Sequence, residues 1–402
     1  MSISNLYIKE IFVDNFKSLK NSKIQFKDGL NIIIGKNGAG KSNMLNFIYK
    51  YAANNPLRSY RLRGSNTNFS VVLLYNQNGK KYELSITIER TKRTEQAAIR
   101  DSNFSFEATI SKKNNNKIEL DNVRFDLSEL QPRRRTSTNE EILKIFNIYR
   151  DIETRYISYN LPESENWLTK PARITIDTEG IVSIGEEYSD YGFLLNLEID
   201  IELDYLENIP KKIMNNETLL KNHIVELLNN TNKLSELNEV LRKYTIIQDS
   251  RINPNINVYS NDQITIIENL TLEFLIEDDW MPWSYLSDGT KRLFYVISET
   301  LTSHTGIILM EEPELGIHPH QLYSLIDFLK EQSLNKQIII STHSPLLLDA
   351  LSPLDLDRVI IAKNNKRSIF NPLTKIQIKK AQKYMAEVGD LSYYWLHSDL
   401  ES

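Results

Sequence analysis

Four short stretches carry side chains whose types and spacing could do chemistry together. The first is Gly35-Lys36-Asn37-Gly38-Ala39-Gly40-Lys41-Ser42, which follows the apolar run Leu30–Ile34 and precedes a helical pattern with Met44, Leu45, Phe47 and Ile48 on one side. It satisfies G-x-x-x-x-G-K-[ST] at every fixed position, between the strand and helix the motif needs. The glycines let successive N–H groups face one point, and the helix N-terminus adds its positive dipole end there. Such a loop is expected to cradle a nucleoside triphosphate, with Lys41 on the outer phosphates and the Ser42 hydroxyl on Mg²⁺. A chance glycine turn would rarely carry both flanking elements.

The second stretch, Gly306-Ile307-Ile308-Leu309-Met310-Glu311-Glu312, is a continuous apolar run ending in two acids, as in a buried parallel strand. At its carboxyl end Glu311 could fix a Mg²⁺ shell and Glu312 could polarise an attacking water. The acids continue as Pro313-Glu314-Leu315-Gly316-Ile317-His318-Pro319, a rigid turn entering the next helix. The third, Gln337–Pro345, is another apolar strand followed by His343, which could hydrogen-bond a γ-phosphate and report its loss. The fourth, Leu286-Ser287-Asp288-Gly289-Thr290, opens a helical pattern over Leu293–Leu301. Alone it reads as an ordinary N-cap; beside the other three it is a second phosphate-binding helix terminus.

The whole chain sets limits on what these stretches serve. Its 402 residues suffice for two or three domains, or for one large α/β domain with insertions. A net charge of −5 argues against a globally basic nucleic-acid coat, though a local basic channel stays open. With no cysteine, disulfides and cysteine-ligated zinc or iron–sulfur sites are excluded. The N-terminus lacks the pattern of a signal peptide, and no apolar run approaches the roughly 20 residues that span a bilayer. A cytoplasmic protein without membrane contact is expected.

The elements that must position the four stretches follow from periodicity. Residues 6–13 and 23–27 read as a hairpin around Asn15-Phe16-Lys17-Ser18, either a cover for the nucleotide base or an ordinary surface turn. Strands expected at 70–76, 81–89 and 104–111 form an antiparallel sheet. Arg58, Arg61 and Arg63 follow the phosphate-loop helix, and Arg133-Arg134-Arg135 is the densest basic cluster, either a phosphate grip or a solvated loop. Leu220, Leu227, Leu234 and Leu241 recur every seventh residue, with Thr231 and Asn238 on the seam between them. That stripe either pairs with a partner helix or packs on its own domain, the commoner case. A polar break at Asn253–Ser260 precedes strands near 263–276.

Taken together, these motifs resemble the ABC-type ATPases of the SMC/RecF branch, most closely the OLD-like group. The resemblance rests on Asn15-Phe16-Lys17-Ser18, Gly35–Ser42, Leu286–Thr290, Glu311–Pro319 and Ser341-Thr342-His343-Ser344-Pro345, and covers 6–52 and 280–350 well. It implies an α/β, ABC/RecF-like P-loop NTPase fold, with a mixed central sheet, an antiparallel N-terminal sheet and a helical insertion. The implied domains are an ATPase lobe at 1–190, the insertion at 191–260 and a second ATPase lobe at 261–402. Gly35 to Ser42 would be Walker A, Glu311 and Glu312 the Walker B pair with Glu312 as base, and His343 the switch histidine. Ser287, Asp288 and Gly289 would be signature residues capping ATP held by another copy, so that ATP with Mg²⁺ closes a head-to-tail dimer.

Three departures qualify the resemblance. Glu311 stands where transporters and SMC proteins usually have aspartate. The metal-sensing Q-loop residue has only Gln131 and Asn160 as candidates. The stretch after His343 is too short for the TOPRIM nuclease domain of OLD proteins, and Asp349, Asp355 and Asp357 do not form an obvious substitute. The expected function is therefore an ATPase subunit, at least dimeric, that switches a separately encoded effector, a nuclease, in anti-phage defence. The alternatives are a RecF-like DNA-repair clamp, a transporter's nucleotide-binding subunit and an ATP-locked scaffold. Direct contact with DNA or RNA is left open.

Overall fold

The computed structural model describes residues 3–52, 67–92, 104–115, 117–126, 153–157, 172–177, 182–184, 213, 216–230, 232–261, 264–302 and 306–397. Arg58, Arg61, Arg63, Gln131, Arg133–Arg135 and Asn160 lie outside the described residues. Packing divides the chain into two compact units. One comprises Met1–Tyr159, Ser303–Leu315 and Ile326–Ser402; the other comprises Asn160–Thr302 and Gly316–Leu325. The second unit thus reaches past the expected 191–260 insertion on both sides.

The first unit holds two six-stranded sheets. The antiparallel one joins β1 (Ile3–Asp14), β2 (Ser22–Gln25), β4 (Asn68–Gln77), β5 (Lys80–Lys92), β6 (Phe104–Asn114) and β7 (Lys117–Asp126) in the order β2-β1-β4-β5-β6-β7. In β4 burial alternates residue by residue, with Phe69, Val71, Leu73 and Tyr75 inward, as expected of a sheet with one covered face. The other sheet runs β19-β18-β3-β17-β16-β8. Its centre is β3 (Leu30–Ile34), β16 (Gly306–Glu311) and β17 (Gln337–Thr342), each buried at every residue. The flanks are β8 (Glu153–Ile157), β18 (Val359–Asn364) and β19 (Ser368–Pro372), and only β19 runs antiparallel. Continuous apolar runs suit strands covered on both faces. Parallel pairing brings Ile34, Glu311 and Thr342 together at the carboxyl ends of the strands, where the crevice of an open α/β sheet binds ligands.

The two sheets of this unit are tied by Gln337, whose buried amide pairs with both backbone groups of Ile8 and with the Lys27 carbonyl. Helix α1 (Lys41–Phe47) continues into a wider helical turn over Ile48–Ala52. Its Phe47 meets Phe16 and Phe69 edge-on at 5.3 Å, so the Phe16 turn packs against α1.

The second unit carries a four-stranded sheet, β10-β9-β13-β12, from β9 (Ala172–Asp177), β10 (Val182–Ile184), β12 (Asn257–Ser260) and β13 (Ile264–Leu270). A three-stranded one, β11-β14-β15, uses β11 (Asp249–Ile252), β14 (Leu272–Ile276) and β15 (Asp279–Pro282). The expected strand region at 263–276 therefore splits between two sheets after Leu270, and Asn269 within β13 takes a φ of 62°. The heptad stripe forms two helices, α2 (Glu217–Asn229) and α3 (Asn232–Tyr244). Leu220, Leu234 and Leu241 are buried, which favours packing on the chain's own unit over a partner helix. Asn238, polar on that seam, is satisfied by both backbone groups of Ser250 at 2.9 Å. Helix α4 (Asp288–Thr302) packs Phe294 against Phe274 and Trp283 at 5.0 and 5.5 Å.

After β16 the chain continues in α5 (Pro319–Gln332), and after β17 in the short α6 (Leu346–Asp349). The tail forms α7 (Lys375–Glu387), which opens with a capping box between Thr374 and Gln377, and α8 (Leu391–His397). Leu391 and Trp395 are buried, and the Ser392 N–H donates to Asp349 at 2.6 Å, so the tail docks on the body of the unit. Asp355 pairs with Lys330 at 3.0 Å, and Asp357 pairs with Lys27. No helix among the described residues is long and apolar enough to cross a membrane.

Candidate functional site

The phosphate loop leaves β3 at Gly35 and enters α1 through Gly40, where φ is 96°. A Cβ there would lie 2.1 Å from Ser368 Oγ on β19, so both backbone conformation and space demand glycine. Gly38 is also left-handed, at 78°, but a Cβ on it would meet nothing within 4 Å. That open side is where a bulky anion could approach the backbone. The N-terminus of α1 has no side-chain cap, which leaves its amides for a ligand. Lys41 is buried, and its Nζ donates to the Gly35 carbonyl at 2.6 Å and the Lys36 carbonyl at 3.2 Å. Burial pushes its pKa down, against the pull of Glu312, Glu314 and Glu311. Ser42, Lys36 and Asn37 are exposed, while Ala39 is buried.

The edge of the sheet supplies the acids. Glu311 is buried and accepts the Tyr156 hydroxyl hydrogen at 2.7 Å. Glu312 takes φ 47°, uncommon outside glycine, while its N–H donates to the Ser341 carbonyl at 2.8 Å. Its carboxylate Oε1 lies 2.7 Å from His343 Nδ1. Glu314 is buried and accepts the Thr342 hydroxyl hydrogen, and burial raises its pKa. Positive φ at a bulky residue that pairs with a histidine is the kind of strain that clusters at functional sites.

Lys41, Glu311, Glu312 and His343 thus belong to one unit, and Lys41 feels the field of all three glutamates. Ser287, Asp288 and Gly289 belong to the second unit. There Ser287 caps α4, its Oγ accepting the Thr290 N–H at 3.2 Å and lying 2.9 Å from Thr290 Oγ1. Gly289 is closely packed, since a Cβ would stand 3.0 Å from the Gly316 carbonyl.

Sequence reasoning missed three supports. Tyr156 comes from β8, a short run hidden between stretches without periodicity. Asn364 donates to the Gly38 carbonyl at 2.9 Å, bracing the phosphate loop from β18. Ser18 accepts from Asn43 of α1 at 2.8 Å and from Ser368 at 3.0 Å. Neither Asn364 nor Ser368 carries a motif, and only the pairing of β18 with β3 brings them near the loop.

The residues present fit a triphosphate with a divalent cation. An uncapped helix terminus, a buried lysine and a backbone concavity suit an anion, and carboxylate with hydroxyl oxygens suits a hard cation. A family described as "AAA domain, putative AbiEii toxin, Type IV TA system" matches residues 30–349. The chain belongs to this AAA-domain family.

This AAA-domain protein is an ATPase of the P-loop class. It is 23% identical over 398 residues to "Retron Vc95 probable ATPase" of Vibrio cholerae serotype O1 biovar El Tor, covering 87% of this chain and 73% of that protein. A shorter match, 56% identical over 43 residues, links it to "DNA replication and repair protein RecF" of Caldanaerobacter subterraneus subsp. tengcongensis. That match covers 11% of this chain and 12% of RecF. The SMC head domain from Thermotoga maritima aligns over 91% of this chain and 99% of its own, at 14% identity and a TM-score of 0.42.

Proposed function

We propose that this AAA-domain protein is an ATP-driven switch whose hydrolytic site is completed by a second copy, and that closure of the dimer regulates a separate effector, a nuclease, in anti-phage defence. The observation that carries the hydrolytic part is the Glu312–His343 pair at 2.7 Å, in the same unit as buried Lys41. Gly35 to Ser42 hold the triphosphate, and Lys41 leaves its two loop carbonyls to bind the outer phosphates. Ser42 and Glu311 would hold Mg²⁺, with Tyr156 keeping the Glu311 carboxylate in place. Bound there, the cation would neutralise charge building on the phosphate oxygens. Glu312 takes a proton from the attacking water, and His343 orients that carboxylate and follows the terminal phosphate.

The trans arrangement rests on the α4 terminus, where Ser287 and Asp288 are exposed beside half-buried Gly289, an N–H-rich end that gains most from an anion in front of it. The family description and the retron relative support the defence setting, since the wording of the first is a toxin system and the second is a retron component by name. A second reading, a DNA-repair clamp, is favoured by the short RecF match. The −5 net charge counts against it. A native pull-down with and without ATP separates them: an ATP-dependent nuclease partner supports the switch, and recovery of DNA alone supports the clamp. For dimerisation, light scattering of Glu312→Gln should give twice the monomer mass with ATP and the monomer mass without it; one mass under both conditions would defeat the head-to-tail reading.

A further inference from the structure

The strand ends hold a third carboxyl group that the hydrolysis reading leaves without work. Glu314 is 9% exposed. One oxygen accepts the Thr342 hydroxyl hydrogen, while Oε2 is buried without a hydrogen-bond partner among the described residues. The Thr342 Oγ1 in turn accepts the Ser344 N–H at 2.9 Å. Thr342 therefore spends its proton on Glu314 and a lone pair on the amide beyond His343, and so closes the turn that carries the imidazole. On the facing strand end, Glu312 reaches the same turn through its N–H to Ser341 and its carboxylate to His343. Two adjacent ties, one from Glu312 and one from Glu314, hold the His343 turn.

We propose that Glu314 is a positioning residue: through Thr342 it fixes the turn that presents His343 to Glu312, by hydrogen-bond geometry rather than by negative charge. The inference deepens the hydrolysis reading and rests on it. Two features disfavour a charge here. Glu311 and Glu312 already place two carboxylates beside Lys41, and a buried ionised oxygen with no donor is strongly unfavourable. A neutral carbonyl oxygen can still accept the Thr342 hydroxyl, which is all the geometry asks of it.

The experiment compares Glu314→Gln, Glu314→Ala and Thr342→Val with wild type and Glu312→Gln, reading kcat and KM for ATP and the His343 imidazole resonances by NMR. Glutamine keeps the acceptor and removes the charge, so Glu314→Gln should hold kcat within about threefold of wild type. Glu314→Ala and Thr342→Val should each lose about tenfold to a hundredfold in kcat, as misplacement of a reacting group does, with KM nearly unchanged. The His343 resonances should shift in these two variants and stay in place in Glu314→Gln. The proposal is overturned if Glu314→Gln fails as badly as Glu312→Gln, or if Glu314→Ala works at the wild-type rate. Should Glu314→Ala not fold, Thr342→Val and the imidazole resonances of Glu314→Gln decide the matter alone. Failure of the underlying reading looks different: wild type and Lys41→Ala would then hydrolyse ATP equally, and the NMR arm would still test the positioning.

Discussion

Two helix N-termini in this chain are built from small residues and differ in how their amides are satisfied. At α1 no side chain caps the first turn, two glycines turn left-handed, and the buried cation Lys41 is folded back onto its own loop. At α4, Ser287 supplies a conventional cap and Asp288 lies 3.9 Å from Lys291. The first terminus is left open to a ligand, whereas the second is satisfied by its own side chain. The difference teaches that a helix end can be read as a binding site when its own side chains decline to cap it. For α4, exposure of Ser287 and Asp288 leaves room for a ligand without requiring one.

Mutations at each terminus break or sharpen this comparison. Lys41→Ala should have the largest effect, abolishing ATP binding in calorimetry and reducing hydrolysis to background. Glu312→Gln should keep ATP binding while lowering kcat by about 10²–10⁴-fold, the usual contribution of a general base. A wild-type rate would remove Glu312 from the chemistry. Ser287→Arg should leave ATP binding intact but prevent ATP-dependent association in sedimentation. The milder Ser287→Ala measures the cap itself: about 1 kcal/mol of stability by chemical denaturation if capping is its only role. A drop in kcat beyond that would assign Ser287 to the anion as well.

The smallest effect concerns pH and Glu314. Its pKa is raised by burial and by Glu312, with Thr342 and His343 pulling it back and Lys41 among the facing charges. A raised carboxyl pKa adds stability that is complete below the ordinary value of 4.5 and is lost as pH rises through the raised value. Glu314→Gln, always neutral, should therefore match the wild-type Tm below pH 4.5 and exceed it increasingly above. A gap in Tm that stays constant with pH would show that the carboxyl is not held neutral by the fold.

The two units also differ in how far the sequence revealed them. In the first, the apolar runs leading into Gly35, Glu311 and His343 read as buried strands, and the shared carboxyl end followed once they paired in parallel. Strand alternation in β4 was equally plain. The supports were not, because Tyr156, Asn364 and Ser368 reach the site through pairings that join residues far apart in the chain. In the second unit the leucine stripe announced helices, yet period alone could not say that Asn238 would turn inward to the Ser250 backbone. Nor could it say that the region near 263–276 would divide between two sheets. Motif residues were legible because ligand chemistry restricts their types; bracing residues need only a hydrogen bond, which many types can supply.

The central claim is that the open terminus at Gly35–Ser42 and the capped one at Ser287–Gly289 act on one nucleotide from two copies of the chain. Mixing tests it most directly. Lys41→Ala and Ser287→Ala are each assayed alone for ATP hydrolysis and then mixed in equal amounts. In a head-to-tail dimer, half of the pairs are mixed and each mixed pair contains one intact site, so with Lys41→Ala inactive the mixture should show about a quarter of wild-type activity plus about a quarter of what Ser287→Ala shows alone. Activity no higher than the mean of the two separate variants would contradict a site shared between copies.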